Sequence, residues 1–94
     1  MLRIKIMFSG GLSNKLPNNQ DIVEGNVLNI RGALEVLVSK HGQILADELL
    51  DGEHLRDGLS LLINGRNVLS LPKKYQTVLN DKDEIIITTQ LEGG

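Results

Sequence analysis

The sequence lacks cysteine and tryptophan, and it has one phenylalanine and one tyrosine in 94 residues. Without cysteine the chain has no disulfide, no thiolate nucleophile and no cysteine-ligated zinc or iron–sulfur site. Its net charge is −2, whereas nucleic-acid binders usually present a basic face, and single-strand binders add stacking aromatic side chains. Stable binding to nucleic acid is therefore not expected.

Long hydrophobic runs are also missing. The N-terminal stretch "MLRIKIMFSGG" alternates charged and apolar residues, unlike the continuous apolar core of a signal peptide, and no run approaches the length of a membrane span. We therefore expect a soluble, cytoplasmic protein without membrane contact, and nothing calls for more than a monomer. A chain of 94 residues should form one domain with one compact core and no large internal cleft.

The start of the chain predicts a β-hairpin. Leu2, Ile4, Ile6 and Phe8 share one parity, which is typical of a half-buried strand. A stretch dense in turn formers separates this strand from a short second strand predicted at residues 20–24. The two strands should pair antiparallel.

A helix is predicted next, because five apolar residues recur at helical spacing. Asn29 is a plausible N-cap, and Gly42 is a plausible left-handed stop. The following stretch, "QILADELLDGEH", is acidic and amphipathic, and it predicts a short helical turn and then a loop. The apolar stripe consists of Ile30, Ala33, Leu34, Leu37 and Val38.

The second half predicts three further strands. Residues 59–65 read as a strand that ends in an Asn-Gly turn, "RNVLSL" as a short return strand that Pro72 stops, and "EIIITTQL" as the last strand. The first and last strands are the most apolar, so they should lie side by side in the centre of the sheet. We predict an α+β fold of the β-grasp (ubiquitin-like) type, a mixed sheet of four to five strands with one main helix packed on one face.

The other face of that sheet would carry no helix. By parity, Leu62, Ile86 and Thr88 point to this open face if Leu61, Ile85 and Ile87 point to the core. An open and partly apolar sheet face is a candidate docking surface. We therefore predict that Leu62, Ile86 and Thr88 bind a partner.

The titratable residues offer little catalytic chemistry. His41 ends the predicted helix and His54 lies in an acidic loop, and neither has a partner at metal-ligand spacing, so both are assigned structural or surface roles and no metal site is predicted. The acidic residues after the helix fit a solvated face better than acid–base or Mg²⁺ chemistry, with a docking patch for a basic partner as the alternative. They are Asp47, Glu48, Asp51 and Glu53.

Glycines and serines likewise carry no catalytic signature. Gly10 and Gly11 lead toward a strand and not toward a helix N-terminus, so a hairpin turn is favoured over a phosphate-binding loop. The serines lack a G-x-S-x-G context. We predict that the domain is not itself an enzyme, has no catalytic residue and needs no cofactor.

The tail is the remaining candidate. A functional interpretation makes the carboxylate of Gly94 the reacting group, which a partner enzyme would activate, most simply by adenylation with ATP. Gly93 and Gly94 have no Cβ to block entry into a narrow pocket, and Leu91 would anchor the tail. We predict a domain at residues 1–90 and a flexible tail at residues 91–94; the alternative is a terminus that simply frays.

Four stretches together resemble the ubiquitin-related modifier family, the ubiquitin-like β-grasp sulfur carriers that are related to the molybdopterin-synthase small subunit and the thiamine sulfur carrier. "FSGGL" resembles the family's Phe-x-Gly-Gly hairpin, "IRGALEVLVSK" its helix, "HLRDGLSLLING" its loop and third strand, and "LNDKDEIIITTQLEGG" its last strand and Gly-Gly end. Asp57 stands where the family commonly has Pro. Glu92 stands where it has His, which places a negative charge beside the reacting end.

The resemblance implies a function. A ubiquitin-activating-type enzyme would adenylate Gly94, and a rhodanese or desulfurase would supply sulfur for a thiocarboxylate. That sulfur would reach the wobble uridine of tRNA through a thiolase, so contact with tRNA would be indirect. The same end could be conjugated to lysines of target proteins. Two alternatives stay open, the small subunit of molybdopterin synthase and a plain interaction domain with an inert tail.

Overall fold

The computed structural model describes residues 1–52 and 54–89. They form a five-stranded mixed sheet in the order β2-β1-β7-β5-β6, a separate two-stranded pair β3-β4, and two helices. The elements are β1 (Leu2–Ser9), β2 (Gln20–Gly25), α1 (Ile30–His41), α2 (Gln43–Leu49), β3 (Leu50–Asp51), β4 (His54–Leu55), β5 (Leu59–Ile63), β6 (Arg66–Asn67) and β7 (Glu84–Thr89). The predicted β-grasp fold is confirmed.

Strand β7 lies in the centre of the sheet, as predicted. It runs parallel to β1, with Phe8 opposite Ile87, and antiparallel to β5, with Leu61 opposite Ile87. Ile85 and Ile87 are fully buried because every second residue of a strand points to the same face, and that face packs on α1. The hairpin of β1 and β2 is antiparallel, also as predicted, with Ile4 opposite Val23.

Helix α1 begins and ends where the sequence predicts. The side chain of Asn29 accepts a hydrogen bond of 2.7 Å from the Gly32 N–H, which satisfies one of the free amides at the helix start. Gly42 follows the last helical residue with φ +94°, a backbone conformation that side chains with a Cβ disfavour. The buried stripe therefore presents Ile30, Ala33, Leu34 and Leu37 to the sheet.

Three predictions about local structure are wrong. The loop predicted at the end of the acidic stretch contains the short antiparallel pair of β3 and β4, with Leu50 opposite Leu55. The acidic stretch after α1 forms the full helix α2 and not a single turn, because Leu45 and Leu49, four residues apart, are both buried. The predicted strand "RNVLSL" stops at Asn67. There the Asn67 side chain accepts a 2.9 Å bond from the Leu69 N–H, and residues Val68–Ser70 turn into a short 3-10 helix that buries Val68.

The described residues contain no helix long and apolar enough to cross a membrane. The last predicted strand, "EIIITTQL", corresponds to β7 as far as Thr89, and its final two residues lie outside the described part of the chain.

Candidate functional site

The predicted reactive tail begins two residues after the end of β7. Leu91, Gly93 and Gly94 lie outside the described residues, so the site is approached through Thr89, the last residue described. Thr89 is opposite Leu59 in the ladder with β5, and its Oγ1 accepts a 3.0 Å hydrogen bond from the Gly11 N–H on the other side. Thr89, the last described residue of the central strand, is therefore held from both sides.

The open face of the sheet carries the three other predicted site residues. Ile86 and Thr88 are half-buried and alternate with the fully buried Ile85 and Ile87. Leu62 lies directly opposite Ile86 on β5. The structure thus brings Leu62 and Ile86 together as neighbours on one face, and Thr88 follows two residues closer to the tail.

Sequence reasoning missed an apolar neighbour of Ile86 on this face. Met7 lies opposite Ile86 on the β1 side and is half-buried. Met7, Ile86 and Leu62 therefore form a continuous apolar row across three adjacent strands, which we call the apolar row. The signal was available, since Met7 has the opposite parity to Ile6 and Phe8.

Polar rows flank the apolar row on both sides. Toward the tail, Thr88 lies between Ser9 and Ser60, so hydroxyl groups cross the same three strands. At the other end, Lys5 is opposite Glu84. Adjacent rows are about 7 Å apart because a strand rises about 3.3–3.4 Å per residue. An apolar centre with a polar border is the usual composition of a protein interface.

The charged end of the open face opens into a shallow cleft of about 310 Å³, lined by Arg3, Lys5, Ile22, Asp81, Lys82 and Glu84. Arg3 is engaged there, since its amide donates to Asp81 Oδ1 at 2.9 Å and its guanidinium lies 3.4 Å from Glu24. This cleft sits at the start of β7, at the opposite end of that strand from Thr89, and it borders the open face.

His41 has a structural contact. Its Nε2 lies 2.6 Å from Asp21 Oδ2. Burial acts to raise the pKa of Asp21, but hydrogen bonds from His41, from Lys40 and from the Ile22 N–H outweigh it, so the pKa is lowered from the ordinary value of 3.8. The pair links α1 to β2 and lies on the helix side of the sheet, away from the open face.

Among the remaining candidates, Asp51 lies opposite His54 in the pair of β3 and β4, and the others stay apart. His54 is exposed on β4, and Asp47, Glu48 and Asp51 are exposed on and after α2, while Glu53 lies outside the described residues. Glu48 pairs with Lys15 at 3.5 Å. Across the residues that the structure describes, no three acidic or histidine side chains converge as metal ligands.

Comparison with known proteins places the fold. No family model and no curated protein matches the chain by sequence. Among solved structures it is similar to Urm1 from Trypanosoma brucei, with 27% identity, a TM-score of 0.74, and 98% of this chain and 95% of that chain covered. It is also similar to the small archaeal modifier protein 1 from Methanosarcina acetivorans, with 24% identity, a TM-score of 0.78, and 100% and 98% covered.

A third similar structure extends the likeness in fold. It is a protein from Pyrococcus furiosus that is provisionally named subunit 1 of a molybdopterin converting factor, with 15% identity, a TM-score of 0.69, and 97% of this chain and 100% of that chain covered. The chain thus has the fold of the small ubiquitin-like carriers and modifiers. Within that class it resembles the ubiquitin-related modifiers.

Proposed function

We propose that this chain is a ubiquitin-like sulfur carrier and protein modifier that reacts through the carboxylate of Gly94. It is a substrate of an ATP-dependent activating enzyme and not an enzyme itself. A carboxylate oxygen attacks the α-phosphorus of ATP, and pyrophosphate leaves. The terminal sulfur of a persulfide on a rhodanese or desulfurase then attacks the acyl carbon and displaces AMP. A thiol reduces the resulting acyl disulfide, which releases the thiocarboxylate and leaves a disulfide between the two thiols.

The observation that carries this proposal is the position of β7. The strand that leads to the Gly-Gly end is the central strand of the sheet, with Ile85 and Ile87 fully buried, so the segment before the tail is anchored in the core. The likeness to Urm1 and the archaeal modifier supports the same reading. In this proposal residues 1–90 are the domain, and residues 91–94 are the tail, with Leu91 as its anchor.

The open face would dock the activating enzyme. The apolar row of Met7, Ile86 and Leu62 offers an apolar centre that a partner could cover. Thr88 and the neighbouring hydroxyl groups lie between that centre and the tail. Docking there would place Gly93 and Gly94, which have no side chain to hinder them, in the nucleotide pocket of the partner.

The activated tail would have two uses. As a thiocarboxylate it would donate sulfur to the wobble uridine of tRNA through a thiolase, and as an activated acyl group it would join a lysine of a target protein. Both steps would take place in the cytoplasm, where the chain would act as a monomer.

Intact mass spectrometry tests the proposal. After incubation with ATP, a sulfur donor and a ubiquitin-activating-type enzyme, the C-terminal peptide should show one oxygen replaced by sulfur. Deletion of Gly94 should abolish the shift. An unmodified peptide, with the same enzyme shown to be active on another carrier, would refute the sulfur-carrier function. Conjugates of higher mass that persist after deletion of Gly94 would refute the modifier function.

The small subunit of molybdopterin synthase is the second candidate. The likeness to the provisionally named converting-factor subunit favours it, and it would use the same tail and thiocarboxylate. The difference lies in the partner, because that subunit would stay bound to a large synthase subunit. Stable co-purification with such a subunit, and no transfer of sulfur to tRNA, would decide for this alternative.

A further inference from the structure

The turn after β1 packs against the end of β7 at unusually close range. The Gly11 N–H donates to Thr89 Oγ1 at 3.0 Å. A Cβ added to Gly10 would lie 2.6 Å from Thr89 Oγ1 and 2.8 Å from Thr88 Oγ1, and one added to Gly11 would lie 2.9 Å from Thr89 Cγ2. Such distances are shorter than side-chain atoms tolerate, so a Cβ at either position requires the turn, the end of β7 or the threonine side chains to shift.

Turn geometry explains only one of the two glycines. Gly10 has φ +62°, so its backbone conformation alone favours glycine. Gly11 does not have a positive φ, and a hairpin turn would accept another residue there. The close contact with Thr89 is the feature of the structure that requires glycine at position 11.

The turn itself is firmly held. Phe8 precedes the glycine pair and Leu12 follows it, and these two side chains are only 4% and 3% exposed. Gly10–Leu12 forms one 3-10 turn that the Ser13 N–H closes on the Gly10 carbonyl at 3.1 Å. Because both ends of the turn are anchored in the core, it can act as a fixed surface against β7.

We propose that Gly10 and Gly11 act as a steric clamp on Thr88 and Thr89, which sets the position and direction in which the C-terminal tail leaves the sheet. The ladder with β1 ends at Ser9 opposite Thr88, and the clamp takes over at the next residue. Gly10 and Gly11 are positioning residues that act through Thr89. The functional importance of the clamp rests on the proposed function, in which the tail is the reacting segment.

A substitution cycle tests the clamp. Gly11→Ala introduces the clash with Thr89 Cγ2, and Thr89→Ser removes that methyl group while it keeps the oxygen that accepts from the Gly11 N–H. Thr89→Ser alone should therefore be silent, Gly11→Ala should displace the end of β7, and the double variant should restore it. Ser13→Ala, an exposed change in the same loop, is the control for general disturbance of the hairpin.

The direction of the tail can be read without any enzyme. Because the chain has no cysteine, Glu92→Cys allows a nitroxide label at one defined tail position. Broadening of the methyl signals of Leu62 and Ile86 on the open face is compared with that of Leu12 and Leu55 in the core. Gly11→Ala should change this ratio, and the added Thr89→Ser should return it to the wild-type value.

Several outcomes would overturn the clamp. An unchanged ratio in a folded Gly11→Ala variant would mean that the turn yields and the strand end does not. A changed ratio that Thr89→Ser fails to restore would assign the effect to something other than this contact. If Gly11→Ala does not fold, recovery of the fold in the double variant supports the clamp, and failure to recover it refutes the clamp.

Kinetics with the activating enzyme separate the clamp from the proposed function. Gly11→Ala should lower kcat for ATP-dependent activation about tenfold, because a misplaced reacting group loses rate, with KM unchanged since the open face is intact. If the labelling cycle behaves as expected but the wild-type chain is never activated, the clamp stands and the proposed function fails. If the wild-type chain is activated and Gly11→Ala leaves kcat unchanged, the proposed function stands and the clamp has no role in it.

Discussion

His41 Nε2 lies 2.6 Å from Asp21 Oδ2, so the last turn of α1 is tied to the edge strand β2. The other carboxylate oxygen accepts from Lys40 Nζ at 3.0 Å and from the Ile22 N–H at 2.7 Å. The Lys5 N–H donates to the Asp83 carbonyl, so it points toward β7 and away from β2. Ile22 lies opposite Lys5 on β2, and because this pair exchanges no hydrogen bonds, the Ile22 N–H points to the free edge of the sheet. Asp21 therefore covers an edge amide that would otherwise be open to another strand.

Asp21→Asn should lower stability in a pH-dependent way. The pKa of Asp21 is lowered in the folded state, so its ionised form stabilises the fold above pH 3.8, and that contribution is lost as the pH falls through the lowered pKa. Near neutral pH the substitution should cost about 1 kcal/mol, a low value for charge-assisted bonds because Lys40 is half exposed.

Urea unfolding of the wild type and the variant, at neutral pH and again below 3.8, measures this difference. Asp57→Asn is the control, since Asp57 is exposed and makes no hydrogen bond or ion pair with the residues described. A difference that stays constant across the pH range would contradict the assignment.

Asn64 should stabilise the turn after β5 in two ways, through its side-chain hydrogen bonds and through its backbone conformation. It has φ +49°, its Oδ1 accepts from the Glu84 N–H at 3.0 Å and its Nδ2 donates to Asp83 Oδ1 at 3.0 Å. Asn64→Ala loses both bonds and strains the backbone, at a cost of about 2 kcal/mol in unfolding free energy. Asn64→Gly relieves only the strain and should fall between Ala and wild type. Equal unfolding free energies for the two variants would show that the backbone conformation contributes nothing.

Ile87 and Ile86 of β7 should contribute differently to stability, because they lie on opposite faces of the sheet. Ile87→Ala should destabilise the fold by about 3 kcal/mol, because it opens a cavity beside fully buried neighbours. Ile86→Ala, one residue away on the half-exposed face, should cost about 1 kcal/mol. Chemical denaturation of both variants checks this. Similar costs would mean that the open face is as closely packed as the core.

The apolar row should govern binding to the activating enzyme. The double variant Met7→Ser and Leu62→Ser should raise KM about tenfold with little change in kcat, since it removes interface contacts that are made before the reaction. Ile44→Ser is the matched control, because Ile44 is 82% exposed on α2, away from the sheet. The prediction fails if the control and the double variant raise KM equally.

The spacing of apolar residues was enough to predict the elements that bury one face, such as β1 and α1. The alternation of Ile4, Ile6 and Phe8 predicted β1, and the stripe bounded by Asn29 and Gly42 predicted α1, because an element with one buried face must repeat its apolar residues at its own period. The prediction of the return strand was wrong because its length does not follow from an apolar period. The Asn67 side chain accepts a hydrogen bond from the Leu69 N–H and turns the backbone away from the ladder.

By itself the sequence determined the order of β1, β2, α1, β5 and β7 along the chain and the central place of the two most apolar strands. Only the tertiary structure decided that Met7 completes the apolar row and that Gly11 presses on Thr89. Both facts depend on register between strands far apart in the chain. Pairing brings Met7 opposite Ile86 and the first turn against the last strand, and no local period encodes which residues meet there.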